Sequence, residues 1–249
     1  MPRHKRLESP LGYYHVVQRG TGKQLLFENE KDYLRYQNKI LECKDIIRFQ
    51  LVAFCLMDNH VHLLIKASHI EDVSRLMRML GTSYARYFNT KYDRSGYVFQ
   101  DRYHSIPIEN EKQLFDCVRY IHNNPVKAGY CNKREEYFWS SYRNYINGFG
   151  VADIEPILEL MGGLRQFLAI SSSKDDYQMS AIESTDMMME RGLRIINKQL
   201  GYEYDNGFIV NQLSRPLRNA VIKELKNNGF SPKKIELLTG VSKTIQRRI

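Results

Sequence analysis

Met57-Asp58-Asn59-His60-Val61-His62-Leu63-Leu64-Ile65 is the stretch on which the reading of this chain turns. Asp58-Asn59 forms a tight turn, and the residues after it form a short strand. Side chains alternate along a strand, so His60 and His62 share one face while Val61, Leu63 and Ile65 take the other. Two imidazoles on one strand face can hold one metal ion, or they can simply be polar residues on a wet surface. Seven histidines in 249 residues yield about 0.2 His-x-His pairs by chance, so the motif takes its meaning from its surroundings.

Outward from that strand, the pattern is regular. Leu11–Arg19 is rich in β-branched and aromatic residues between Gly12 and Gly20, and reads as a strand. Asn29 with Asp32 caps a helix that carries Tyr33, Tyr36, Ile40 and Leu41 and runs to about Asp45. Phe49–Met57 is a second strand and His60–Ala67 the third. Glu71–Asn89 holds Val73, Leu76, Met77, Leu80, Tyr84 and Phe88 at helical spacing, with Arg75, Arg78 and Arg86 off the stripe. Tyr97–Ile108 reads as extended, with Pro107 marking an edge or a break.

The order is strand, helix, strand, strand, helix, strand. It predicts an α+β, ferredoxin-like βαββαβ antiparallel sheet with its helices on one face. The opposite face is then open, and His60 and His62 stand on it as a platform. Gln113–Asn124 is a further helix with the stripe Leu114, Cys117, Val118 and Ile121. Tyr120 lies beside the stripe, and Asn124 stacks above it four residues on. Pro125 disfavours helix at Asn124, so the helix is expected to stop there. Read bare, Tyr120 is a rim residue and Asn124 a cap.

After Trp139-Ser140-Ser141-Tyr142 the pattern loosens into short helices over Asp153–Met161 and Leu164–Ala169, split by Gly162-Gly163. Ser171–Asp176 reads as a linker, and Met187-Met188-Met189 as core filler. The last third ends in a helix-turn-helix pattern. Leu217–Asn227 is a basic amphipathic helix, Ser231-Pro232 opens a second, Gly240 turns, and Ser242 caps a third helix over Lys243–Ile249. That third helix would enter a major groove, with Lys243, Thr244, Gln246 and Arg247 as its DNA contacts. The boundaries expected are 1–148 for a catalytic domain, 149–206 for a helical connector and 207–249 for the helix-turn-helix region.

Composition agrees with a nucleic-acid partner. Net charge is +9 and the pI about 9.3. The four cysteines, Cys43, Cys55, Cys117 and Cys131, form no CxxC pair, so a zinc knuckle is not expected; the first three fit buried free thiols. The basic start Met1–Arg6 is followed by no apolar run, and no segment has the 18 or so apolar residues of a membrane span. The expected location is cytoplasmic and nucleoid-associated.

Five blocks in one order then carry a resemblance. They are Tyr14-His15-Val16-Val17-Gln18-Arg19-Gly20, the Met57–Leu64 stretch, Gly96-Tyr97-Val98-Phe99-Gln100-Asp101-Arg102-Tyr103, Arg119-Tyr120-Ile121-His122-Asn123-Asn124-Pro125-Val126-Lys127-Ala128-Gly129, and Trp139-Ser140-Ser141-Tyr142. Over about residues 8–146 the chain resembles the insertion-sequence-200-like transposases, in their REP-associated tyrosine transposase branch. The resemblance implies a His-hydrophobic-His enzyme that cuts and rejoins single-stranded DNA with a tyrosine nucleophile and a divalent metal. By motif position, Tyr120 is the implied nucleophile, and His60, His62 and Asn124 are the implied metal ligands. Relatives outside this branch carry Gln at the last position. The implied cofactor is Mg²⁺ or Mn²⁺, and the implied partner is single-stranded or hairpin DNA, bound by a monomer or a homodimer.

The helix-turn-helix falls outside the matched blocks and adds a duplex-DNA contact. His15, Arg19, Arg102 and His104 lie on or beside strands bordering the site and are further candidate DNA contacts. Tyr97, Phe99 and Tyr103, among basic residues, either stack unpaired bases or close the sheet edge. Two other functions compete with the enzyme: a non-catalytic sequence-specific DNA-binding regulator on the same fold, and a single-strand binder that uses the sheet as a platform. The joint presence of His60, His62 and Tyr120 favours the enzyme.

Overall fold

The computed structural model describes residues 6–173, 185–204 and 206–248, the side chains of residues 23 and 185–191 excepted. They form two compact units, one of residues 6–125 and 133–173, the other of residues 126–132, 185–204 and 206–248.

The first unit is built on four antiparallel strands: β1 (Tyr13–Arg19), β2 (Gln50–Met57), β3 (His60–Lys66) and β4 (His104–Pro107), in the order β2-β3-β1-β4. Helix α1 (Glu30–Lys44) follows β1 and α2 (Ile70–Lys91) follows β3. This is the expected βαββαβ unit. A capping box at Asn29 starts α1: the N-cap accepts from the backbone three residues on while Asp32 reaches back. The last strand is shorter than the sequence suggests. Val98–Gln100 runs beside Arg19–Thr21 through isolated backbone bonds, and regular pairing with β1 begins only at His104.

The register fixes both faces. Val17 pairs with His62, Arg19 with His60, and His15 with Leu64. Directly opposed residues point the same way, so His15, Val17, Arg19, His60, His62 and Leu64 share a face. Val61, Leu63, Ile65, Val16 and Gln18 take the other. Helix α2 covers that second face: the Cα of Gly81 approaches Gln18 and Phe99, and Tyr84 reaches Tyr36 of α1 at 5.2 Å between ring centroids.

The histidine face is not open, which corrects the platform expectation. Helix α3 (Glu111–Lys127) lies over it, with the ring of Tyr120 5.7 Å from that of His62. The reason is in the face itself. Besides the histidines it carries Val17, Cys55, Met57 and Leu64, all at most 4% exposed. It forms a second core layer, and the apolar stripe of α3 is what covers it.

Pro125 does not end α3 either. The helix continues to Lys127 with Pro125 inside it, and stops at Gly129, whose φ of 78° and N–H to Val126 close the end. Pro125 removes one backbone donor, and its buried ring supplies packing in exchange. Three short helices finish the unit: α4 (Tyr142–Asn147), α5 (Glu155–Met161) and α6 (Leu164–Ser172). Ser171 and Ser172 thus belong to a helix; the rest of the expected linker, from Lys174 on, lies outside the described residues.

The second unit contains α7 (Thr185–Leu200), α8 (Ile209–Gln212), α9 (Arg215–Asn227), α10 (Pro232–Thr239) and α11 (Lys243–Gln246). Its own core comprises Ile196, Val210, Val221, Ile222, Leu225, Phe230, Ile235, Leu238 and Val241. The side chains of Met187–Met189 lie outside the described residues. No described helix is long and apolar enough to cross a membrane.

Candidate active site

The site lies between β3, β1 and α3. His60 Nδ1 is 2.7 Å from Asn59 Oδ1. A carboxamide oxygen only accepts, so Nδ1–H donates and the lone pair of His60 resides on Nε2. Asn59 is itself 2% exposed. The turn residue that reads as a mere chain reversal therefore also sets the tautomer of its neighbour.

His62 is fully buried, with Nδ1 3.1 Å from His15 Nε2 and the two rings stacked at 5.3 Å. One nitrogen donates and the other accepts. Only the pairing in which His62 Nδ1–H donates leaves a lone pair on His62 Nε2. That Nε2 is buried without a hydrogen-bond partner. Burial pushes the His62 imidazolium down to about 3, and holds His15 well below its ordinary value, with the neighbouring His62 adding to the effect. Both rings are neutral at pH 7, as metal ligation requires.

Tyr120 projects from α3 into this layer, 6% exposed. Its ring stands edge-on to His62 and to His15, 6.1 Å from the latter. Asn124 sits one turn further along the same face of α3, half-buried. Its Nδ2 is buried and has no hydrogen-bond partner. The two ends of a carboxamide are interchangeable by a flip, so Oδ1 can equally occupy that position. A cation offers a partner to both orphaned atoms, His62 Nε2 and the Asn124 amide, so the residues present fit the implied metal. Among the described residues no group of three or more His, Cys, Asp or Glu converges to hold one. The side chains that could hold a cation here are two imidazoles and one carboxamide, His60, His62 and Asn124.

The other candidates are scattered. Arg19 opposes His60 across the strands and is 8% exposed. His104 is exposed and shares the histidine face, since it opposes Val17, which in turn opposes His62. Arg102 is exposed in the loop before β4. His15 is not placed to touch DNA: it is fully buried and faces His62 and Tyr120. Of the three rings in the Gly96–Tyr103 block, Phe99 packs near Gly81 and Tyr103 meets the Ser74 hydroxyl at 2.9 Å. Tyr97 alone is open, at 89% exposure.

In the second unit, Lys243, Thr244 and Arg247 are exposed along α11. Gln246 is not available to bases. It is 1% exposed, and its Nε2 donates to Val241 O at 2.6 Å and Pro232 O at 3.1 Å. From the sequence Gln246 reads as a DNA contact, but here, as the last residue of α11, it ties that helix to α10.

The Trp139–Tyr142 block has a structural role. Leu56 N–H donates to Trp139 O, Phe54 N–H donates to Ser141 Oγ, and His122 Nε2 lies 2.7 Å from that same Oγ. The block ties α3 to β2 just beyond Tyr120. His122 is fully buried and driven down to about 3 by burial, with Arg134 nearby.

Comparisons with known proteins follow the same lines. The family model described as "Transposase IS200 like" matches residues 9–124. A protein of Haemophilus influenzae, provisionally named a REP-associated tyrosine transposase, is 31% identical over 105 residues, covering 38% of this chain and 59% of that protein. The chain thus spans somewhat over half the length of that curated relative. A solved structure of a REP-associated tyrosine transposase bound to a REP hairpin aligns with a TM-score of 0.51 at 19% identity, over 62% of this chain and 93% of that one. At that identity the likeness speaks for the fold. Over residues 9–124 the chain is thus similar to the IS200-like transposases.

Proposed function

We propose that this protein is a metal-dependent single-stranded DNA endonuclease and strand transferase that acts on hairpin or repeat DNA through a covalent phosphotyrosine. One observation carries the reading: Tyr120 stands 5.7 Å from a neutral, buried His62 whose Nε2 has no partner, on the helix that also presents Asn124. The names of the similar proteins support the same substrate class.

The Tyr120 hydroxyl attacks the scissile phosphorus. A bond forms from the phenolic oxygen to phosphorus, and the bond from phosphorus to the 3′ oxygen breaks. The DNA 5′ end is left on Tyr120 and a 3′ hydroxyl takes up a proton. The reverse attack by a 3′ hydroxyl rejoins strands without ATP, because the phosphotyrosine keeps the energy of the cut bond. A phenol has an ordinary pKa near 10, so it needs help at neutral pH. His60, His62 and Asn124 would hold a divalent cation, which when bound polarises the phosphate and offsets developing negative charge. The mixed nitrogen and oxygen donors suit Mn²⁺ at least as well as Mg²⁺. Asn59 and His15 keep the two imidazoles in ligating tautomers. Lys243, Thr244 and Arg247 of α11 add a contact to duplex DNA.

The test is a denaturing gel of labelled hairpin DNA incubated with the protein and Mn²⁺, beside Tyr120→Phe. The expected result is label migrating with the wild-type protein and absent from the Tyr120→Phe lane. Cleavage that survives in Tyr120→Phe would replace the covalent step with hydrolysis. Binding without any adduct would leave a non-catalytic DNA-binding regulator on the same fold.

A further inference from the structure

The Trp139–Tyr142 block lies along the β2 edge of the sheet. Ser140 bridges Cys55, Leu56 N–H donates to Trp139 O, and Ser141 N–H donates to Phe54 O. That register sets Trp139 beside Leu56, with Phe138 next along the chain toward Met57, and Met57 opposes His60 on β3. Neighbouring strands are about 4.8 Å apart, so the backbone at Phe138 lies two spacings, roughly 10 Å, from that of His60.

Phe138 ends a ladder of rings that runs from the core to the surface. Buried Phe27 stacks on Tyr33 at 4.3 Å, and Tyr33 stacks on Trp139 at 4.3 Å with an interplanar angle of 7°. Trp139 meets Phe138 edge-on at 5.1 Å. Burial accounts for the inner rings but not for the last, which is 58% exposed. The guanidinium of Arg143 lies 5.0 Å from the centre of the Phe138 ring. Arg143 is exposed, and among the described residues no acidic side chain pairs with it. Phe149, also exposed in the same unit, has no cation over it among the described residues. An open ring beside an unpaired cation can take an unpaired nucleotide, the base on the ring and the phosphate on the cation. The ladder beneath holds the ring in place, so little freedom is lost when a base settles on it.

We propose that Phe138 and Arg143 form a stacking subsite for an unpaired base that flanks the scissile phosphate, with Arg143 on the phosphate of that nucleotide. The proposal rests on the DNA-cleaving reading above and assigns to it the residues that orient the strand beside the cut. Net charge of +9 favours a strand there over an acidic or apolar peptide through its continuity with the site at His60.

The test is fluorescence anisotropy, without added metal so that the DNA stays whole, of a labelled hairpin with unpaired flanks and of a blunt hairpin with the same stem. Phe138→Ala should weaken binding of the flanked hairpin about fivefold or more, the loss of one base–ring stack, and that of the blunt hairpin under about twofold. Phe138→Trp should bind as tightly as wild type, whereas Phe138→Leu, apolar but without a ring, should behave like Phe138→Ala. Arg143→Gln should lower the slope of log K against log salt by about 0.7, one single-strand phosphate contact. Abasic sites placed at each unpaired position in turn should locate one at which Phe138→Ala costs nothing further. Phe149→Ala, the control, should leave binding of both hairpins at the wild-type level. No loss in Phe138→Ala, equal losses on flanked and blunt hairpins, a Phe138→Leu protein that binds like wild type, or no abasic position that absorbs the loss would each overturn the stacking subsite. An unchanged salt slope in Arg143→Gln would overturn the phosphate contact. A wild-type protein that shows the Phe138-dependent binding but forms no Tyr120 adduct refutes the cleavage reading alone, since the subsite is judged by binding.

Discussion

Replacing His15 with Leu separates tautomer control from direct DNA contact. His15 Nε2 lies 3.1 Å from His62 Nδ1 and accepts from that N–H in the ligating tautomer. Its removal leaves the three proposed ligands, His60, His62 and Asn124, and Tyr120 in place. The His62 proton is then free to sit on Nε2, where it blocks ligation. Loss of such a supporting partner costs tenfold to a hundredfold in metal affinity, or about 1.4 to 2.7 kcal/mol. Folding stability should move differently. In the ligating tautomer the His15 Nδ1–H is buried with no partner, and an orphaned donor costs about 1–3 kcal/mol. Leu removes that orphan but leaves the buried His62 Nδ1 without its partner, a comparable cost, so the metal-free protein should lose no more than the hydrogen bond itself, about 1 kcal/mol. Titration calorimetry with Mn²⁺ reads the first quantity and urea unfolding of the metal-free protein reads the second. His15→Gln, which can still accept through Oε1, should recover part of the affinity. A His15→Leu protein that is folded and binds Mn²⁺ within threefold of wild type would refute the argument.

Asn124→Ala should weaken Mn²⁺ binding roughly tenfold, while Asn124→Asp, which supplies a charged oxygen, should bind at least as tightly as wild type by the same titration. His15, His62 and His122 are all buried and neutral, with pKa values pushed below the ordinary 6.5. The unfolded chain takes up protons below pH 6.5 and the native state does not, so this contribution to stability is complete above 6.5 and is lost as pH falls toward 3. Each histidine contributes about 1.4 kcal/mol per pH unit in that window, so urea unfolding at pH 7.5 and 5.5 should differ by roughly 4 kcal/mol; a difference under 1 kcal/mol would contradict the buried, neutral assignment. Gln246→Ala should destabilise the second unit by about 1–3 kcal/mol in thermal unfolding, because it strands the buried Val241 carbonyl and removes the bond to Pro232 O. Arg247→Ala should leave that unfolding unchanged and weaken duplex binding with a lower salt slope.

The element order was legible in the sequence because it depends on local rules. β-Branched and aromatic content between two glycines marked β1, alternation after the Asp58-Asn59 turn marked β3, the Asn29–Asp32 box marked the start of α1, and helical spacing marked α2 to within two residues at each end. Pro125 misled because a local steric preference yields to packing when the ring is buried. Gln246 misled because polarity and position on a helix do not say whether a side chain turns inward to meet carbonyls from α10 and its following turn.

By itself the sequence placed His60 and His62 on one strand face, and Tyr120 and Asn124 one turn apart on one helix; the roles expected of them came with the family resemblance. Period 2 and period 3.6 are properties of the backbone, and need no partner to operate. Only the tertiary structure decided that α3 lies over the histidine face, which turns an open platform into a buried layer. It also placed His15, from a different strand, against His62. Strand register and helix docking depend on contacts between segments distant in the chain, and one of those contacts, His15 against His62, sets which His62 nitrogen is left without a partner.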